Sequence, residues 1–344
     1  VDNRQHEYLK RINTLINSIL LLMLVAFIFV FYLLLPASPA KKEILAENNI
    51  AVPVKKAVSD YYTFPDINAL PNDENKKLIE FGRELIVNTA EYLGPRGKLY
   101  SASNGMNCQN CHLEAGTKIF GNNYSAVAAH YPKFRARSGT IETIEKRVND
   151  CFERSLNGKA LAEDSEEMKA IKSYILFLGS NTKKDEKVKG AGFKDLAFLP
   201  RAASPKNGKT LYNQKCANCH GSKGEGQIKP EGLGYTYPPL WGENSYNQAA
   251  GLFRITFFAR FIKYNMPLGA SHEFEMLSDE EAWDIAAFVN AQPRPKFNIT
   301  KDWPDISKKP IDHPFGPYAD NFSEEQHKFG PFQPIADFYK NKKL

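Results

Sequence analysis

Cys108-Gln-Asn-Cys-His112 and, 108 residues later, Cys216-Ala-Asn-Cys-His220 are the stretches whose reading decides this chain. In a C-x-x-C-H segment both thiols add to the vinyl groups of a c-type haem, and the adjacent imidazole becomes the proximal iron ligand. Two such segments in 344 residues predict two covalently bound haem c groups, on Cys108 and Cys111 and on Cys216 and Cys219. His112 and His220 are then the proximal ligands. Five cysteines minus four leaves Cys151 alone between the two haem segments.

Working outward, each segment sits in the same plan of N-terminal helix, haem segment, long loop and C-terminal helix. Before the first, Leu78, Ile79, Phe81, Leu85, Ile86 and Tyr92 follow a helical period. After it, a helix is expected over Ile141–Leu156 and another over Glu166–Leu178. Before the second, Gly208-Lys-Thr-Leu-Tyr212 opens a helix into Cys216. The last helix starts at Ser278, with Glu281 three residues on as a capping box, and stops before Pro293. The fold class is mainly α, with two cytochrome c-type haem domains in tandem over 74–185 and 186–295. Residues 296–344, rich in Pro, Gly and aromatics, form a C-terminal extension packed on these domains.

Ile19–Leu35 is apolar apart from one tyrosine hydroxyl, and Ile12, Leu15 and Ile16 lengthen it. About 20 residues cross a hydrocarbon core of roughly 30 Å. A secretory signal has an apolar region of only about 7–15 residues. We therefore expect an uncleaved single-pass transmembrane helix at 12–35, although Pro36–Ala40 offers small residues for cleavage. Arg4, Lys10 and Arg11 assign residues 1–11 to the cytoplasm. Residues 36–73 then form a tether, and the haem domains lie on the periplasmic side of the inner membrane. The net charge of +6 comes without a Lys/Arg run or a glycine-rich phosphate loop, so neither nucleic acid nor a nucleotide is expected as partner.

The distal ligands decide the chemistry. For the second haem, Met266 in Asn265-Met-Pro-Leu-Gly269 presents a thioether 46 residues after His220, with Lys263 as a lesser competitor. For the first, Met106 is too close to Cys108 and Met168 belongs to a terminal helix, leaving Cys151 and, secondarily, His130. On a helix, Arg147, Cys151 and Ser155 fall at successive i, i+4 positions and share a face. An unpaired cysteine is unusual outside the cytoplasm. Beside an arginine and a ferric iron it is expected as ligand or nucleophile; an inert buried thiol is the alternative. Between His130 and Ala160, seven Lys/Arg face four acids. Arginine forks suit oxyanions, and a small oxyanion of sulfur is the substrate class this suggests.

The stretches Tyr131-Pro-Lys-Phe-Arg-Ala-Arg-Ser138 and Arg147-Val-Asn-Asp-Cys-Phe-Glu-Arg-Ser-Leu-Asn-Gly158 resemble the diheme thiosulfate dehydrogenases, also called tetrathionate synthases. So do the second haem segment, Asn265–Gly269 and Phe315-Gly-Pro-Tyr-Ala-Asp-Asn-Phe-Ser-Glu-Glu-Gln326, over residues 75 to 335 in all. The resemblance implies oxidative coupling of two thiosulfate ions to tetrathionate, reversible in principle. It implies His112/Cys151 ligation at a catalytic haem 1 whose pocket is lined by Arg137, Arg147 and Ser155. It further implies His220/Met266 ligation at an electron-transfer haem 2, feeding a c-type cytochrome or membrane oxidase. The N-terminal span departs from the family, whose members are usually soluble in the periplasm. A membrane-anchored diheme electron carrier to a terminal oxidase is the alternative function.

Overall fold

The computed structural model describes residues 2–34 and 60–342. The chain divides into two units, Val1–Ala57 and Val58–Leu344. The expected tether lies outside the described residues over 36–59, as does the last position of the expected span, residue 35.

The first unit holds helix α1, Asp2–Leu34. Within it Leu9–Phe31 is 23 residues long with a mean hydropathy of 2.7, and none of it is buried. At about 1.5 Å per residue this run is about 35 Å long, enough to cross a bilayer.

The second unit is helical with two small hairpins. Helix α2, Glu74–Val87, is capped by Asp73, whose carboxylate accepts from Lys76 N. It buries Ile79, Leu85 and Ile86 against α4, Glu166–Leu178, which buries Met168, Ile171, Tyr174 and Ile175. The crossing is close because Gly82 has no side chain. A Cβ there would lie 2.0 Å from Ala170 O. The second haem domain repeats the device. Helix α5, Pro205–Lys215, crosses α7, Asp279–Asn290, at Gly208, where a Cβ would lie 1.8 Å from Asp284 O. The expected capping box is present, with Ser278 Oγ accepting from Glu281 N (3.1 Å) and Glu281 Oε2 accepting from Ser278 N (2.9 Å). Between these helices α6, Ile255–Asn265, ends at Met266. Pro267 cannot continue the helix and pushes its predecessor into extended backbone.

Two expectations are corrected here. The helix expected over Ile141–Leu156 starts at Ile144, because Thr143 caps it by accepting from Lys146 N. Ile141 instead pairs with Phe134 in an antiparallel hairpin, β1 Lys133–Arg135 and β2 Thr140–Glu142, with its side chain 72% exposed. The α-helical part, α3, runs only from Ile144 to Asp150, and Cys151–Ser155 form a single π-helical turn closed by Leu156 N donating to Cys151 O at 2.9 Å. The C-terminal extension also holds regular structure its aperiodic sequence did not announce, in α8, Glu324–Phe329, and α9, Gln333–Asn341. Phe332 and Ile335 pack into the second hydrophobic core.

Candidate active site and haem sites

The C-x-x-C-H segment of the first domain opens on a cavity of about 530 Å³. Cys108, Cys111 and His112 line it, and Arg137, Arg147, Cys151 and Ser155 line it too. Ile86 of α2 and Ile171 and Ile175 of α4 supply apolar wall. The residues present fit a c-type haem. No cysteine is in a disulfide, so both thiols of each segment are free for thioether formation. His112 Nδ1 donates to Asn122 O at 2.6 Å, which fixes the ring and leaves Nε2 with its lone pair for iron. Burial holds this imidazole down to about 4, so it is neutral, the ligating form, at physiological pH.

The second segment has the same preparation. His220 Nδ1 donates to Pro238 O at 2.8 Å, and burial lowers its pKa too. Met266, half-buried, packs on the second core together with Cys216. Lys263, the lesser competitor, has its ammonium committed to Glu275 (2.8 Å), Asp279 (2.9 Å) and the Leu277 carbonyl (2.6 Å).

The structure brings Cys108, Cys111, His112, Arg137, Arg147, Cys151 and Ser155 to one cavity. His130 is not among the lining side chains; its Nδ1 lies 3.9 Å from Asp185. No methionine lines the cavity either. Helix α3 and the π turn together carry Arg147, Cys151 and Ser155. A π turn is rare and recurs at functional sites, and here it begins at the unpaired cysteine.

The electrostatics are one-sided. Among the described residues, the Arg147 side chain makes no hydrogen bond and no ion pair. Its pKa is raised, first by the electrostatic influence of Cys151, with Tyr131, Asp150 and Glu142 adding to it against the effect of burial. Arg137 donates only to Ala249 O (3.2 Å), and burial followed by the nearby Arg154 and Arg147 charges lowers its pKa to about 10. Both guanidiniums are charged at neutral pH, and neither is compensated by a carboxylate contact. Arg154 differs, with Asp302 as a two-pronged partner at 2.6 and 2.9 Å.

The cavity also has walls the sequence reading missed. Lys133, Phe134 and Arg135 come from β1, and Gly251, Arg254 and Phe257 from the second haem domain. Trp303 comes from the C-terminal extension. Arg254 is held by the buried Asp312 (Nε to Oδ1, 2.7 Å). The basic count over 130–160 hinted at the first group, but no local signal marks the others.

Both haem segments fall within regions that match known domains. Residues 98–183 match the SoxA/TsdA cytochrome c domain, and residues 205–293 match the cytochrome c domain. The thiosulfate dehydrogenase of Psychrobacter arcticus is 38% identical over 244 residues, covering 70% of this chain and 71% of that one. That of Allochromatium vinosum is 38% identical over 239 residues, 68% of this chain and 85% of its own. The solved thiosulfate dehydrogenase (TsdBA) of Marichromatium purpuratum, in its as-isolated form, superposes with a TM-score of 0.63 at 29% identity. That match covers 73% of this chain and 52% of the solved one, so the chain spans about half of its length.

Proposed function

Because the chain belongs to the thiosulfate dehydrogenase family, we propose that its first haem cavity couples two thiosulfate ions into one tetrathionate. The balance is two S2O3 dianions to one S4O6 dianion with two electrons released. The observation that carries this reading is the convergence of Arg137, Arg147, Cys151 and Ser155 on the cavity that His112 and its two cysteines define. When bound, the two haem c groups supply the one-electron redox chemistry that takes up both electrons.

Everything else falls to side chains. Two unit charges about 4 Å apart repel by about 4 kcal/mol at an effective dielectric near 20, so two dianions repel by about 16 kcal/mol. Two guanidiniums without a carboxylate in contact offset that repulsion as well as orient the sulfurs. This is why the lack of carboxylate contacts at Arg137 and Arg147 matters. Cys151 would help hold haem 1, and its sulfur would form an S–S bond with the first thiosulfate, the bond formation that releases both electrons. The second thiosulfate then attacks that S–S bond, and Cys151 leaves as thiolate in a thiol–disulfide exchange. Ser155, one turn further, offers a hydroxyl to the sulfonate oxygens. Met266 and His220 would hold haem 2, and the electron acceptor would be a c-type cytochrome or membrane oxidase. Helix α1 anchors the protein in the inner membrane with the haem domains on the periplasmic side.

The electron-carrier alternative calls for methionine at both irons, which the lining of the first cavity does not offer. The test is anaerobic incubation of the purified holoprotein with thiosulfate and an artificial acceptor. Tetrathionate formed at one equivalent per two thiosulfates supports the reading, and acceptor left oxidised with thiosulfate unconsumed sinks it.

A further inference from the structure

We propose that Trp303 is a positioning residue for the thiosulfate reaction, holding the Arg137 guanidinium at the cavity wall in the orientation that meets substrate. The inference rests on the function proposed above. Trp303 lies beyond both matched domains, which end at residues 183 and 293, yet it lines the catalytic cavity.

Three contacts pin this piece of the extension onto the first domain. Trp303 N donates to Arg137 O at 2.7 Å. The preceding residue, Asp302, takes both prongs of Arg154. The following one, Pro304, lies against Gly139, where a Cβ would be 2.7 Å from Pro304 Cγ. Held this way, the indole lies with its ring centre 5.7 Å from the Arg137 guanidinium carbon. That is within reach of a cation–π attraction, which strengthens when the pair is shielded from water.

The local conformation has the marks of a constrained position. Trp303 has φ +60°, in the left-handed region that a bulky side chain rarely adopts, and its buried indole N–H has no hydrogen-bond partner. Such outliers persist where the surroundings over-determine them, and they gather at functional sites. The strain here is matched by a need. Among the described residues, Arg137 has a single side-chain hydrogen bond, to Ala249 O, and no carboxylate in contact to fix its plane. The ring supplies orientation without neutralising the charge, which a carboxylate would do. An oxyanion site needs that combination.

The experiment compares Trp303→Leu, Trp303→Phe, Arg137→Gln and the Trp303→Leu/Arg137→Gln double variant of the holoprotein. Haem content is measured as haem per chain, with KM and kcat for thiosulfate and tetrathionate as product. Losing the ring face raises KM by about 3- to 30-fold in Trp303→Leu, while two haems per chain remain. Trp303→Phe keeps a π face and stays within about threefold of wild type. In the Arg137→Gln background, removing the ring adds no further effect, because the ring acts through the arginine. A wild-type KM in Trp303→Leu overturns the proposal, and so does full additivity in the double variant. If Trp303→Leu loses haem 1, the phenylalanine variant decides: a KM raised by more than tenfold with both haems attached overturns the role. Wild-type protein that yields no tetrathionate refutes the proposed reaction, an outcome separate from an unaffected Trp303→Leu.

Discussion

At the residue scale, the site turns on a sulfur and two cations that no carboxylate contacts. Cys151 lines the cavity beside Cys108 and Cys111, so its thiol is not packed away among hydrocarbon side chains. Replacing Cys151 with Gly is expected to abolish thiosulfate turnover while both haems stay attached through their own cysteine pairs. Thiosulfate-dependent reduction of the haems, followed by absorbance, should vanish in this variant; if it persists at the wild-type rate, Cys151 is a bystander. Arg147 is the complementary case. Among the described residues its guanidinium makes no ion pair, and its charged form is favoured first by Cys151 and then by Tyr131, Asp150 and Glu142. Removing one preorganised donor at a developing anionic site costs about 10²–10³ in kcat. Arg147→Gln should lose that much in steady-state turnover, and a variant that turns over at the wild-type rate would rule the role out.

At the scale of the element, local chemistry explains what could be read from sequence and long-range contact explains what could not. The haem segments and the Ser278–Glu281 box are legible because each is satisfied within five residues, and Glu166–Leu178 because its apolar face keeps a helical period. The π turn escaped because its extra residue leaves Arg147, Cys151 and Ser155 still facing the cavity, so the i, i+4 argument reached the right side chains through the wrong helix type. Ile141 misled because its apolar side chain extends the stripe of Ile144 and Val148, whereas the structure spends it on the outside of a hairpin. Neither Gly82 nor Gly208 announces a helix crossing, since a glycine in a helical run reads as a weakness. Gly costs about 1 kcal/mol against Ala in a helix interior, so its presence at both crossings reflects the closeness of the partner backbone. Gly82→Ala gains that propensity but places a methyl 2.0 Å from Ala170 O and 2.9 Å from Tyr174 Cβ. Overpacking of this kind costs about 1–3 kcal/mol and outweighs the gain. Thermal unfolding of the holoprotein should shift down for Gly82→Ala, and an unchanged midpoint would show that α2 and α4 can part without cost.

At the scale of the whole molecule, the extension ties the two haem domains to the catalytic cavity, and no local pattern could announce it. Trp303 reaches Arg137 across 166 positions of sequence, and Asp312 reaches Arg254 across 58. The anchors are buried carboxylates. Asp312 accepts from Arg254 and, through its other oxygen, from Thr256 N (3.2 Å) and Oγ1 (2.5 Å). Burial alone would raise its pKa, but the Arg254 charge and the Thr256 donors outweigh it and hold the group below its ordinary 3.8. Asp320 behaves alike, with burial outweighed by Tyr339 Oη (2.6 Å) and the Phe322 N–H, and with His327 Nε2 at 3.0 Å. A carboxyl lowered on folding binds fewer protons folded than unfolded. Its contribution is therefore whole above about pH 3.8 and is lost as pH falls through the lower folded value. The extension should accordingly release in acid, below pH 3.8, while the haems remain covalently attached. Hydrogen exchange over residues 300–342 as a function of pH measures this directly. In Asp312→Asn the carboxylate is absent at every pH, so protection near Arg254 should already be low at pH 7 and fall less on acidification. Equal acid sensitivity in wild type and variant would mean that Asp312 does not hold the extension, and that the wall Trp303 lends to the cavity is secured by its contacts with the first domain instead.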